Sequence, residues 1–451
     1  MKILSLFDGM ACGMLAMQGA GITVDRYVAF EIDKYAVQTS SHNFPMIEHR
    51  GDVFQADFTE FRGFDFLIGG SPCTYWSIAQ TNNRETEASG MGWELFSQYV
   101  RALHEAQPKF FIYENNKSMS KAIRESITQA FGFEPICINS SRVSAQNRQR
   151  LYWVGKRNPD GTYSQVKVDQ PEDRGILLRD VLDGVTDKEK GRCVIGSVGR
   201  TTTREYFDKH QGNMAYEPVT VLKAIPEIVE KYGYLPEMFN AYNRAEITDK
   251  APTLSTGSMV TSSCAVNKIE PVAEPCYVGE VPGHKGKYRN GKQASQQYRV
   301  YSVDGKSVAC DTDSRKYIAQ PVSEHSKKVI CWFAVAVEWS EDGKPIKAVS
   351  VADGKAYQVY EVKDGQITIK VKQYPIKLAD GFYIIRKLTV TECKRLQTVP
   401  EWYEFPVSDT QAYKMLGNGW TVDVIAHLID ATQTQNEEYQ LDLFGKAVEL
   451  K

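Results

Sequence analysis

The chain has 451 residues, 42% of them apolar, with 54 Lys and Arg against 56 Asp and Glu for a formal net charge of -2. That length predicts roughly two to three units, each able to bury a core. The near-neutral balance excludes a bulk polycation and leaves room for local basic surfaces. The nine cysteines form no CxxC pair and no Cys/His cluster of zinc spacing, so no metal site is expected. An odd count suits a reducing compartment better than a disulfide scaffold. The N-terminus enters a strand without a signal-peptide pattern, and apolar runs fall short of the roughly 20 residues of a membrane span. A soluble cytoplasmic protein is expected.

Residues 2–7 read as a strand and 12–19 as the start of a helix. Phe7-Asp8-Gly9-Met10-Ala11-Cys12-Gly13 joins them, and glycines at a strand-to-helix turn let a ligand approach the backbone closely, although many tight turns look the same. The apolar run 27–30 ends in Glu31, a carboxylate about 20 residues past the Gly loop and so placed for ribose hydroxyls. Gly51-Asp52-Val53 is a third strand tip, placed to receive an adenine amino group. Three such tips in order describe a nucleoside pocket without naming the nucleoside.

Residues 64–68 read as a buried strand closed by Gly69-Gly70 and followed by Ser71-Pro72-Cys73. A lone cysteine is more often a small buried hydrophobe than a nucleophile. The strand, the Gly pair and the proline reverse that expectation, because open α/β sheets keep reacting groups at the C-terminal ends of their strands. Residues 74–92, polar but holding Tyr75 and Trp76, read as a loop that closes over a substrate, although such a stretch is more often a plain connection. Residues 93–106 have helical spacing. Residues 110–113 form another apolar strand running into Glu114, whose carboxylate is either a helix cap or a group held in a desolvated pocket. Residues 143–153 carry Arg148 and Arg150, which point the same way in a strand. Such a pair is solvated surface charge, or a clamp on an anionic ligand.

Past the turn cluster Asn158-Pro159-Asp160-Gly161 the chain changes to short β-like runs, and from Val329 it reads as a meander with Asp-Gly turns. Residues 284–299 hold Lys285, Lys287, Arg289, Lys292 and Arg299 without one carboxylate. This local positive patch suits phosphate contact, with a solvated loop as the plainer reading. Residues 386–422 return to the first unit, with Thr389 as a helix N-cap and Glu392 at the capping-box position. The polar tail, 433–451, contains an apolar cluster at Leu441, Leu443 and Phe444 that calls for an explanation.

The succession FDGMACG, GGSPC, an apolar strand into EN, QNRQR, RKLTVTECKRLQTVP and LGNGWTV resembles the DNA (cytosine-5)-methyltransferase family. The likeness covers residues 1–158 and about 385–430 in the family's order, with details closest to the de novo branch of animals. Thr74 after the cysteine and Asn116-Lys117 depart from the family's pattern. The resemblance implies an α/β fold: a Rossmann-like S-adenosylmethionine-dependent methyltransferase domain with an inserted, mainly β target-recognition domain. The expected parts are a catalytic domain at 1–158, target recognition at 159–384, a segment at 385–432 completing the catalytic domain, and a tail at 433–451.

The chemistry implied is addition of the Cys73 thiolate to C6 of cytosine, which makes C5 nucleophilic. Glu114 would face N3 and the exocyclic amine. Arg150 would hold the cytosine O2, and Arg148 would lie near the nucleophile and a backbone phosphate. The methyl donor, S-adenosylmethionine, would be held by Phe7, Gly9, Gly13, Glu31, Ile32, Asp52, Val53 and Pro72 and closed in by Asn418, Trp420 and Val422. The partner is double-stranded DNA with its cytosine flipped out, Ser77 touching phosphate. Two other readings are methylation of cytosine in transfer RNA and a catalytically silent DNA-binding regulator. The long middle segment weighs against the first, and Cys73, Glu114, Arg148 and Arg150 together weigh against the second. Finally, Gln440-Leu441-Asp442-Leu443-Phe444 resembles the peptide with which bacterial proteins dock on the replication sliding clamp, against the plainer reading of a tail tucked onto its own domain. These resemblances imply a monomeric enzyme of restriction-modification type, working in the cytoplasm of a bacterial or phage-infected cell.

Overall fold

Strand β1 (Lys2–Leu6) pairs in parallel with β2 (Arg26–Phe30) on one side and β4 (Phe66–Gly69) on the other. β3 (Glu48–His49) extends the first edge and β5 (Phe110–Asn116) the second, both again parallel. Beyond the short β7 (Gln146–Asn147), β8 (Gln149–Arg157) runs antiparallel to β5 and to β6 (Ile136–Asn139), and β9 (Tyr163–Gln165) pairs with β8. The order is β3-β2-β1-β4-β5-β8-β6. Near-continuous apolar strands of this kind belong to parallel sheets covered on both faces. The connecting helices are α1 (Cys12–Gly19), α2 (Lys34–Asn43), α3 (Gly90–Ala106) and α4 (Lys121–Phe131). One core cluster is markedly aromatic, bringing Phe58, Phe61, Phe96, Tyr99, Phe111, Tyr113, Phe131 and Trp153 together.

In this computed structural model the described residues are 1–77, 84–196, 198–220, 334–340, 344–350 and 352–437, with short strand segments between 238 and 319, at 439–441 and at 447–449. The chain divides into two units. Unit 1 comprises Met1–Val181, Lys188–Asn213 and Val390–Lys451, and unit 2 comprises Leu182–Asp187 and Met214–Thr389. Unit 1 therefore continues past the turn cluster at 158–161 and resumes at Val390. Lys190 Nζ helps to hold the added stretch, donating to the carbonyls of Ser141, Ser144 and Ile176.

Register is what makes a site of this sheet. Leu6 lies opposite both Phe30 and Gly69, and Gly69 opposite Tyr113. The next residues along, Phe7, Glu31, Gly70 and Glu114, therefore share one row at the C-terminal edge, where open α/β sheets bind ligands.

Unit 2 is built on a seven-stranded sheet among the described residues. Pro345–Val349, Ala334–Trp339, Met214–Thr220, Gly381–Lys387 and Ala356–Lys363 pair in succession, and the last pairs back to the first, closing a ring. The Asp364-Gly365 turn, with φ of 53° and 68°, has the left-handed pair of a tight hairpin. The run after this turn forms two strands, Gln366–Ile369 and Lys372–Pro375, folded at Lys370 and a 94% exposed Val371. Inside the ring Arg386 Nε meets Glu217 Oε1 at 2.5 Å with both side chains fully buried. Ser350 Oγ donates to the same oxygen at 2.7 Å.

Of the basic patch, Lys285 and Lys287 lie outside the described residues. Arg289, Lys292 and Arg299 fall in short strands described by their backbone alone. Gln440 and Leu441 lie in Tyr439–Leu441, which pairs with Ala447–Glu449, while Leu443 and Phe444 are outside the described residues. No helix among the described residues is long and apolar enough to cross a membrane.

Candidate active site

The loop after β1 is tightly wound. Phe7, Gly9 and Ala11 have φ of 57°, 60° and 60°, a left-handed conformation that costs the two non-glycines energy and is commonest at functional sites. Glu31 spans the gap to this loop, its Oε2 accepting the Gly9 N–H at 2.8 Å while Oε1 accepts those of Ile32 and Asp33. Space in front of Gly9 is open. Gly13 has a packing reason instead, since a Cβ there would stand 2.3 Å from Ile68 Cδ1. Asp52 caps the Phe54 N–H at 3.0 Å. Val53 is buried, whereas Ile32 is 77% and Phe54 42% exposed. Phe54 went unrecognised in the sequence, although an aromatic just past an acidic strand tip was its signal.

Asp8 lies beneath this loop. Its Oδ1 accepts from Ser5 Oγ and the Tyr27 hydroxyl, each at 2.6 Å, and its buried Oδ2 has no hydrogen-bond partner among the described residues. Burial pushes its carboxyl up to about 6, against the lowering effect of the Ser5 and Tyr27 hydroxyls.

On the other side of the edge, the Gly pair lets β4 pass close to Glu114. A Cβ on Gly70 would lie 2.7 Å from the Glu114 carbonyl and 2.9 Å from its Oε2. Ser71 is tied to β5 by a 2.6 Å contact between its Oγ and the Tyr113 hydroxyl, and by Asn115 Nδ2 donating to its carbonyl. Pro72 is exposed, and Cys73 opens a short 3-10 turn, Cys73–Tyr75, directly behind this anchored corner.

The described ends of the stretch 74–92 are held by side chains. Trp76 is fully buried and donates its indole N–H to Glu85 Oε2 at 3.0 Å, and the same carboxylate accepts the Gly92 N–H. Arg84 reaches the carbonyls of Trp76 and Ser118. Both stems are therefore fastened. Ser77 is half-buried, and 78–83 lie outside the described residues.

Glu114 is 9% exposed. Arg150 Nε lies 3.1 Å from its Oε1, and the Trp420 indole donates to its Oε2 at 2.9 Å. Arg150 also donates to the Gln149 carbonyl and stands 3.9 Å from Cys193 Sγ. Arg148 is more deeply buried than Arg150. It is 3% exposed, and its guanidinium donates to Cys193 Sγ and to the carbonyls of Val194, Gly417 and Gly419.

The Gly417 and Gly419 carbonyls belong to the end of helix Asp409–Asn418 and the turn after it. Gln397 fastens this turn from below, donating to the Leu416 carbonyl and accepting from Gln146 Nε2 and the Thr421 hydroxyl. Asn418 is exposed, Trp420 half-buried, and Val422 turns into the core. Neither Cys193 nor the Gln146–Gln397 pair was singled out from sequence. The glutamines lie inside recognised motifs, but no pattern near Cys193 marks it.

Three likenesses span most of the chain. Residues 1–434 match the model of a family described as C-5 cytosine-specific DNA methylase. The orphan methyltransferase M.SPRI of Bacillus phage SPR is 33% identical over 94% of this chain and 95% of its own length. The orphan methyltransferase M.SPBetaI of Bacillus phage SPbeta is 24% identical over 94% of this chain and 96% of its own. Among solved structures, a Spodoptera frugiperda DNMT2 variant aligns over 95% of this chain and 98% of its own, at 13% identity and a TM-score of 0.47, too loosely to carry a conclusion.

Proposed function

The chain belongs to the C-5 cytosine-specific DNA methylase family and is a DNA cytosine methyltransferase; from that premise we propose that it works on a flipped cytosine in duplex DNA through a covalent adduct between Cys73 and C6. The observation that supports this most is the setting of Glu114, held between Arg150 Nε and the Trp420 indole and touching Gly70 of the corner that precedes Cys73.

C5 of cytosine is a weak nucleophile. Addition of the Cys73 thiolate at C6 breaks the C5–C6 double bond and moves its electron pair toward C5, with Glu114 at N3 stabilising the charge that develops in the ring. Arg150 keeps the carboxyl group turned into the site and lies within reach of the O2 side of the base. S-adenosylmethionine supplies an electrophilic methyl group when bound. Open space before Gly9, the carboxylate of Glu31 and the exposed faces of Ile32 and Phe54 suit its nucleoside, with Asp52 near the adenine amine. After methylation the C5 proton leaves to water or hydroxide and its electron pair expels Cys73, restoring the ring. Extruding the base costs a few kcal/mol.

A duplex carrying 5-fluorocytosine at the target position has no proton to lose there, so the native chain plus donor should form a complex that survives denaturing electrophoresis. Cys73→Ala should form none, and Glu114→Gln should form it more slowly by about a hundredfold or more. Trapping that persists in Cys73→Ala would sink the mechanism.

Phosphate contacts fall in this reading to Ser77 and to the segment holding Lys285, Lys287, Arg289, Lys292 and Arg299. The peptide 440–444 is the docking segment for a bacterial sliding clamp. Deleting it should abolish recovery of the protein on immobilised clamp, and unchanged recovery removes this part of the reading.

A further inference from the structure

Glu114 takes its orientation from two donors, and one of them, Arg150, is itself held from behind. Arg150 Nε faces Glu114, one terminal nitrogen donates to the Gln149 carbonyl, and the other points to Cys193 Sγ at 3.9 Å. The same sulfur accepts from Arg148 at 3.2 Å. Arg148 in turn donates to the Gly419 carbonyl at 2.7 Å, one residue before Trp420, whose indole is the second donor to Glu114. The contacts close a ring: Glu114, Arg150, Cys193, Arg148, Gly419, Trp420 and back to Glu114.

We propose that Cys193 is a positioning residue for the methyl transfer, its sulfur serving as the shared acceptor that keeps the Arg150 guanidinium turned toward Glu114. This rests on the reading above, in which Glu114 and Arg150 receive the cytosine. Two guanidiniums brought to one point repel each other unless an acceptor or a negative charge stands between them. Cys193 is the group in that place. Burial pushes its thiol up, but the charges and hydrogen bonds of Arg148 and Arg150 outweigh burial and bring it below the ordinary cysteine value. As a thiolate, the sulfur offsets one of the two positive charges. As a thiol, it donates to the Val194 carbonyl at 3.4 Å and still accepts from Arg148. Either way it is a point of attachment, and no substrate contact is assigned to it.

Two measurements test this on the full chain. In steady-state methyl transfer, Cys193→Ala should lower kcat about tenfold while the KM for donor stays within about twofold, and Cys193→Ser, which keeps an acceptor, should recover most of the loss. Separately, labelling with iodoacetamide across pH, read at the Cys193 peptide by mass spectrometry, should reach its midpoint at a lower pH than free cysteine. Unchanged kcat in Cys193→Ala overturns the proposal, as does equal impairment of both variants, which would mean the sulfur only fills space. A labelling midpoint at or above that of free cysteine overturns it as well, and decides alone if the variants do not fold. A native chain that labels early but transfers no methyl group to DNA would instead strike the reaction on which the proposal rests.

Discussion

Asp8 shows how a single side chain beneath the loop after β1 can set a pH dependence for the fold. Its carboxyl titrates near 3.8 when exposed and is pushed up to about 6 by burial in the native chain. Below pH 3.8 it is neutral in both states and costs nothing. As pH rises from 3.8 to 6 the unfolded chain ionises first, so native stability falls, by about 3 kcal/mol in all, and above 6 the cost is constant. Asp8→Asn is neutral throughout and still lets Ser5 and Tyr27 donate to its oxygen. Urea unfolding of the two proteins should therefore show the variant gaining on the parent by about 3 kcal/mol between pH 3.8 and 7. Curves that stay parallel over that range would show that Asp8 does not titrate as its burial implies.

At the level of elements, helix Asp409–Asn418 meets residues 195–196 with no room between them. A Cβ on Gly417 would lie 2.0 Å from the Gly196 nitrogen and 2.3 Å from the Ile195 carbonyl carbon, both backbone atoms that no rotamer change can move aside. Gly417→Ala should therefore destabilise unit 1 by about 1–3 kcal/mol in denaturant unfolding, and it should displace the carbonyls on which Arg148 depends. A variant as stable as the parent would mean that the helix shifts freely. This contact also explains what the sequence hid. The strands β1, β2, β4 and β5 were legible because each is a short apolar run ending in an acidic or glycine tip. Residues 188–213 carry no such periodicity, so their packing beside the Gly417-Asn418-Gly419-Trp420 turn, and Cys193 with it, could not be read from spacing. Helical spacing was read from residue 93, whereas α3 already begins at Gly90, and the Trp76–Glu85–Gly92 fastening before it depends on side-chain geometry.

For the whole chain, the row of tips at one sheet edge was readable, whereas the extent of unit 1 depends on contacts that spacing does not reveal. Turn residues at 158–161 announce a connection, yet a connection is a boundary only if nothing beyond it packs back, as β9 and residues 188–213 do. The bond from Trp420 to Glu114 spans 306 residues. During synthesis at about 5–20 residues per second, that interval is roughly 15 to 60 s. A growing polypeptide thus holds its main sheet for that interval while Glu114 still lacks one of its two tethers. A chain truncated before residue 420 would leave that carboxylate to Arg150 alone, free to turn away from the row of strand tips.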